Sequence, residues 1–109
     1  MIFFLECNSQ QWKFKLGHKD VKCIMKFSDY FKDIIDNSDE SSIIYLSGFH
    51  LANFIKILEF CRHHEKQPNF FYDQWDNNYL KNLKKNIFIT DFVDICNKYD
   101  FQHISRLIK

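Results

Sequence analysis

Residues 43–68, IIYLSGFHLANFIKILEFCRHHEKQP (Ile43 to Pro68), decide how the rest of the chain has to be arranged. Four residues of extended character, Ile43, Ile44, Tyr45 and Leu46, run through a Ser-Gly turn into a helical pattern with apolar residues at Leu51, Phe54, Ile55, Leu58 and Cys61. Phe49, Ile57 and Phe60 widen that stripe beyond one narrow face, so the helix is expected to sit centrally, walled in on several sides. Arg62, His63, His64 and Lys66 are cations suited to a helix C-terminus, and Pro68 cannot continue the helix.

Toward the N-terminus, Ile2 to Glu6 reads as an apolar strand, and Trp12, Phe14 and Leu16 alternate with Lys13 and Lys15 as a half-buried strand should. Asn8, Ser9 and Gln10 lie between, so the pair forms a hairpin. Val21, Ile24 and Met25 put a helix over Gly17 to Lys26, and Ser28 is placed to cap a second one from Asp29 to Asp36 with Tyr30, Phe31, Ile34 and Ile35 inward. Residues 37–42 are a polar loop.

Beyond Pro68, Asp73 is placed to cap a short helix carrying Trp75, Tyr79, Leu80 and Leu83. Thr90 is placed to cap the next, whose apolar positions are Phe92, Val93, Cys96 and Tyr99, with Ile95 on an adjoining face. Asp100 breaks it, and Gln102 to Lys109 restarts a helix with Ile104, Leu107 and Ile108 apolar. Residues 1–109 thus read as one α/β domain: a small sheet of about three strands packed with five or six helices.

Composition narrows the function. Hydrophobic residues make up 46% of the chain and aromatics 18%, with thirteen Phe but only two Gly and one Pro, so there is material for a core and little that favours disorder. The Phe, Ile, Lys and Asn content also fits an AT-rich genome. Fifteen basic against fourteen acidic side chains give a net charge of +1, with no global field to attract nucleic acid. No apolar run approaches the roughly 18–20 residues a membrane-spanning helix needs. MIFFLEC at the start lacks the basic flank and cleavage site of a secretion signal and reads as a strand. Cys7, Cys23, Cys61 and Cys96 form no C-x-x-C pair, which points to reduced thiols and a cytoplasmic or nuclear setting.

Reactive chemistry finds little support in the spacing. Cys61 and His64, three apart on a helix, are able to touch one ion while His63 points elsewhere, but two ligands do not make a structural zinc site. The expectation is therefore a core Cys61, histidines that belong to the helix end, and no metal, cofactor or catalytic residue. Asp29, Asp33 and Asp36 follow helical spacing on a polar face, and two glycines leave no phosphate-cradling loop. Surfaces remain as the working parts, and the last third of the chain is rich in apolar residues that either close the core or form a partner patch.

The ending Phe60-Cys61-x-His63-His64, after an Ile-x-Leu strand and a Leu/Phe/Ile-rich helix, resembles the S-phase kinase-associated protein family, the adaptors of SCF ubiquitin ligases, which have a BTB/POZ fold. Trp75, Asp76, Tyr79 and Leu80 match a second motif of that family, and KFSDYFKDII resembles its second helix. The resemblance covers nearly the whole chain, omits the family's last two helices, and extends to the elongin-C-like relatives that also end near this point. It implies a BTB/POZ domain acting as a non-enzymatic adaptor between a cullin and an F-box or similar receptor. Ile43, Ile44, Tyr45, Asn97 and Lys98 would face the cullin. Phe92, Ile95, Tyr99, Phe101, Ile104, Leu107 and Ile108 would begin the receptor surface. At the corner, Ile95, Cys96 and Lys98 depart from the family's Ala-Asn-Tyr-Leu-Asp stretch. The alternative is a minimal or decoy domain that binds a cullin, or self-associates as a homodimer, without recruiting an F-box protein.

Overall fold

In the computed structural model, which describes residues 1–39, 41–67, 69–85 and 89–108, Asn8 and Ser9 both take left-handed φ values of 49° and 66°. That pair of angles is what a two-residue type I′ turn needs, and its twist matches that of the strands it joins. Strand β1 (Ile2–Cys7) therefore pairs antiparallel with β2 (Gln10–Lys15) in the register Phe3 to Phe14 and Leu5 to Trp12. Ser9 carries a side chain where glycine is least strained. Ser9→Gly is expected to raise stability by about 0.5–1 kcal/mol, read as a higher midpoint in chemical denaturation.

Strand β3 (Ile43–Ser47) lies parallel to β1 on its other side, giving the order β2–β1–β3. Phe3 and Leu5 stand beside Ile44 and Leu46 in this register, so these side chains share the inner face with Phe14 and Trp12. Ile2, Phe4 and Glu6 fall on the other face with Lys13, Lys15, Ile43 and Tyr45.

Between β2 and β3 run helices α1 (His18–Phe27) and α2 (Asp29–Asp36), hinged at Ser28. The Ser28 hydroxyl accepts from the Phe31 amide at 3.1 Å, capping α2, and donates to the Tyr99 carbonyl at 2.6 Å. One buried residue thus ends one helix through its backbone amide, starts the next through its hydroxyl, and ties both to a segment 71 residues away. Phe31 and Ile35 form the buried face of α2, whereas Tyr30, expected inward, reaches solvent and rests edge-on against Tyr99.

Helix α3 (Leu51–Glu65) is the centre of the core. Gly48 turns the chain at φ 72°, and His50 caps the helix, its Nδ1 accepting from the Ala52 amide at 3.0 Å. The buried face is Asn53, Phe54, Ile57, Leu58, Phe60, Cys61 and His64. Ile55, expected in the stripe, is 47% exposed, because its position seven residues before Arg62 puts it on the same outward face. Arg62 makes a two-pronged ion pair with Asp20 of α1 at 2.8 and 2.7 Å, and its guanidinium holds the Asp20 carboxyl below the usual carboxylate range. Pro68, expected to mark the end of this helix, lies outside the described residues, as does Lys109.

Asp73 caps α4 (Gln74–Lys84) in a reciprocal capping box with Asp76. Helices α5 (Ile89–Lys98) and α6 (Gln102–Ile108) follow. Thr90 lies inside α5, so it is not the cap that its residue type suggested. The end of α5 is set by Asp100 at φ 62°, with the Phe101 amide reaching the Cys96 carbonyl at 2.8 Å and the Asp100 amide the Asn97 carbonyl at 3.4 Å. This is a Schellman ending with Asp at the left-handed position usually taken by Gly.

Candidate functional site

The residues expected to face partners separate by burial. Of the cullin-facing set, Tyr45 is 69% exposed, Asn97 and Lys98 are exposed, and Ile43 is half-buried. Ile44 is buried, since strand alternation turns it to the inner face with Phe3. The two parts of this set lie on segments that are bolted together. Tyr99, next to Lys98, donates its hydroxyl proton to the Ser47 carbonyl at the end of β3 at 2.8 Å, while its own carbonyl is held by Ser28.

A cleft of about 320 Å³ opens beside this junction, with Gly48, His50 and Cys7 on one side and Asp91, Asp94 and Lys98 of α5 on the other.

The receptor-facing set is corrected by packing. Phe92, Ile95, Tyr99, Phe101 and Ile104 are all core residues, leaving Leu107 and Ile108 half-buried at the end of α6. Phe101 and Tyr99 are drawn inward by Phe31, with ring centroids 5.4 and 6.0 Å away, so their apolar area is spent on the core and offers no open patch. Near α6, Phe70 stacks on His103 at 4.0 Å and the Tyr72 hydroxyl donates to the His103 carbonyl at 2.6 Å. Phe71 and Tyr72 of this loop are exposed.

A polar cluster that sequence reasoning did not assemble joins α3 to α4. His64 and Asp76 are 1% and 0% exposed, and His64 Nε2 lies 2.7 Å from Asp76 Oδ1. Asp76 Oδ2 accepts from the Asp73 amide at 2.8 Å. His63 Nε2 lies 2.9 Å from Asp73 Oδ2, and its ring stacks on Trp75 with centroids 4.1 Å apart. That hydrogen bond to His63 holds the Asp73 carboxyl down to about 2.

Gln67 fixes the donors in this cluster. Its Nε2 donates to Asp73 Oδ2 at 3.3 Å, so its Oε1 is turned to His64 Nδ1 at 2.9 Å and accepts from it. With Nδ1 turned to the Gln67 amide oxygen, Nε2 is left facing the Asp76 carboxyl across a contact closed to water. Two features of the sequence pointed here separately, the His pair and the Trp75-Asp76 motif. Their contact depends on the start of α4 meeting the end of α3, which no periodicity encodes.

The thiols lie elsewhere. Cys61 is fully buried in the core, and desolvation drives its thiol far above the ordinary range. Burial pushes the Cys96 thiol up to about 12. Neither has the lowered pKa of a nucleophilic thiol. Cys61 also stands apart from the group whose geometry could hold a metal ion: among the described residues that group is His63, His64 and Asp73, whose donor atoms lie within 4.8 Å of one another.

No family model matches the chain, and no curated protein matches it.

Proposed function

We propose that the chain is a BTB/POZ-type, non-enzymatic adaptor that presents one face to a cullin and another to a substrate receptor of the F-box type. The observation that carries this reading is the rigid corner at which β3 and α5 meet. Tyr99 clamps Ser47 to the segment bearing Asn97 and Lys98, so an exposed Tyr45 and two exposed polar side chains are held on a fixed frame. A rigid frame with one large aromatic anchor is what a scaffold contact requires.

Support also comes from the two motifs of the resemblance, which here bind each other through His64 to Asp76 and His63 to Trp75. The buried thiols argue against nucleophilic chemistry. Among the described residues no helix is long and apolar enough to cross a membrane.

Burial of five of the seven receptor-facing residues favours a second reading, a minimal domain that occupies a cullin, or self-associates, without taking an F-box. The two readings part in a pull-down: an adaptor retains both cullin and F-box protein, and a minimal domain retains the cullin alone. Asn97→Arg combined with Lys98→Glu is expected to weaken cullin capture by at least about tenfold, as charge reversal in an interface does, while leaving the domain folded, since the pair gives up only one exposed hydrogen bond to Ser105 and a contact with the Tyr99 ring. Unchanged capture would move the cullin contact to another face.

A further inference from the structure

We propose that the junction of α3 and α4 is a binding site for one divalent ion of the zinc class, ligated by His63, His64 and Asp73. The inference is independent of the adaptor reading. The three donor atoms lie within 4.8 Å of one another, and a tetrahedral zinc with bonds of about 2.0–2.1 Å brings its donors to about 3.3 Å, so only a small closure is needed.

The outer partner of a metal-bound imidazole is already present. Asp76 holds His64 Nε2 at 2.7 Å and is itself fixed by the Asp73 amide, the carboxylate–histidine arrangement that orients the opposite ring nitrogen toward a metal. That opposite nitrogen, Nδ1, faces the Gln67 carboxamide. The same carboxamide reaches Asp73 Oδ2, which in turn meets His63 Nε2. Gln67 therefore bridges two of the three donors, and its Oε1 or a water supplies the fourth position when the side chain swings aside.

Charge points the same way. Two carboxylates, one fully buried, sit against two imidazoles, and an arrangement of this kind needs a compensating cation. An imidazole that ligates a metal releases the proton on its ligating nitrogen to solvent, so the ion and that proton are alternatives. His63 and Asp73 keep 28% and 29% of their side-chain surface open, which gives the ion a way in. A bound ion would clamp the last turn of α3 to the first turn of α4.

The test uses the whole chain, stripped with a chelator and titrated with zinc against a chromophoric competitor, then with cobalt(II) followed by visible absorption. The expected result is one ion per chain, tetrahedral cobalt bands without sulfur charge transfer, and a zinc-dependent rise in melting temperature. Asp76→Asn should weaken binding by about 10–100-fold. His63→Gln and Asp73→Asn should weaken it at least as much, Asp73→Asn because it keeps the oxygen that caps α4 and replaces the ligating one. Cys61→Ala should bind as the native chain does. Absence of stoichiometric binding to the folded protein, binding that survives both His63→Gln and Asp73→Asn, or a thiolate cobalt spectrum would each overturn the proposal. Far-UV circular dichroism reports folding of each variant, and His63→Gln and Asp73→Asn, both at solvent-reaching positions, decide the matter if Asp76→Asn does not fold.

Discussion

Replacing Asp76 with alanine is expected to destabilise the domain by about 3–5 kcal/mol, the cost of removing one partner from a fully buried His–carboxyl pair. Domains of this size have about 5–15 kcal/mol in total, so the variant should be largely unfolded near physiological temperature. The effect is large because Asp76 serves two structures at once. It receives the buried His64 ring at 2.7 Å and closes the capping box by accepting the Asp73 amide at 2.8 Å. Alanine leaves His64 enclosed with a donor and no acceptor, and leaves the first turn of α4 without its N3 carboxylate. A double variant, His64→Leu with Asp76→Leu, should recover part of the loss, since an apolar pair has no charge to desolvate. Urea denaturation measures both. A loss below about 1 kcal/mol for Asp76→Ala would show that the pair is hydrated in solution.

Phe60→Ala carries the second large effect, about 3–5 kcal/mol, through lost transfer energy and the cavity left behind. Phe60 is fully buried and lies between Phe27, Phe70 and Tyr79, with ring centroids 6.0, 6.0 and 5.8 Å away. Its ring is also 4.6 Å from that of His64, so the losses in Phe60→Ala and Asp76→Ala should not simply add. Ile55→Ala, on the same helix but outward-facing, should cost about 0.5 kcal/mol or less. Equal losses at the two positions would mean that α3 presents a different face to the core.

That contrast marks how far the sequence could be read. The central helix, the hairpin, the Ser28 and Asp73 caps and the break at Asp100 were legible because each rests on a local signal: periodicity, or a side chain able to bond its own backbone neighbours. Ile55 was misassigned because a helix with apolar residues on most sides offers several overlapping stripes, and the neighbours choose among them. Thr90 is a good cap by type, but α5 begins at Ile89, just before it.

The candidate surfaces were harder. Phe92, Ile95 and Ile104 look the same in sequence whether they close a core or await a partner, and only the packing of α5 and α6 assigns them to the core. The His–Asp cluster was missed for a different reason. Its members are 10 and 12 residues apart, across a turn whose path depends on tertiary structure. The cysteine beside the His pair drew attention to a Cys/His set, yet Cys61 points into the core and the carboxylate of Asp73, the cap of α4, takes the place it had suggested.

An adaptor must bridge a cullin and a receptor as a purified chain. Mixed with the N-terminal region of a cullin and with an F-box protein, then resolved by size-exclusion chromatography with light scattering, it should elute in one assembly containing a single copy of each. Elution of the chain alone, with both candidate partners unbound, would contradict the adaptor reading.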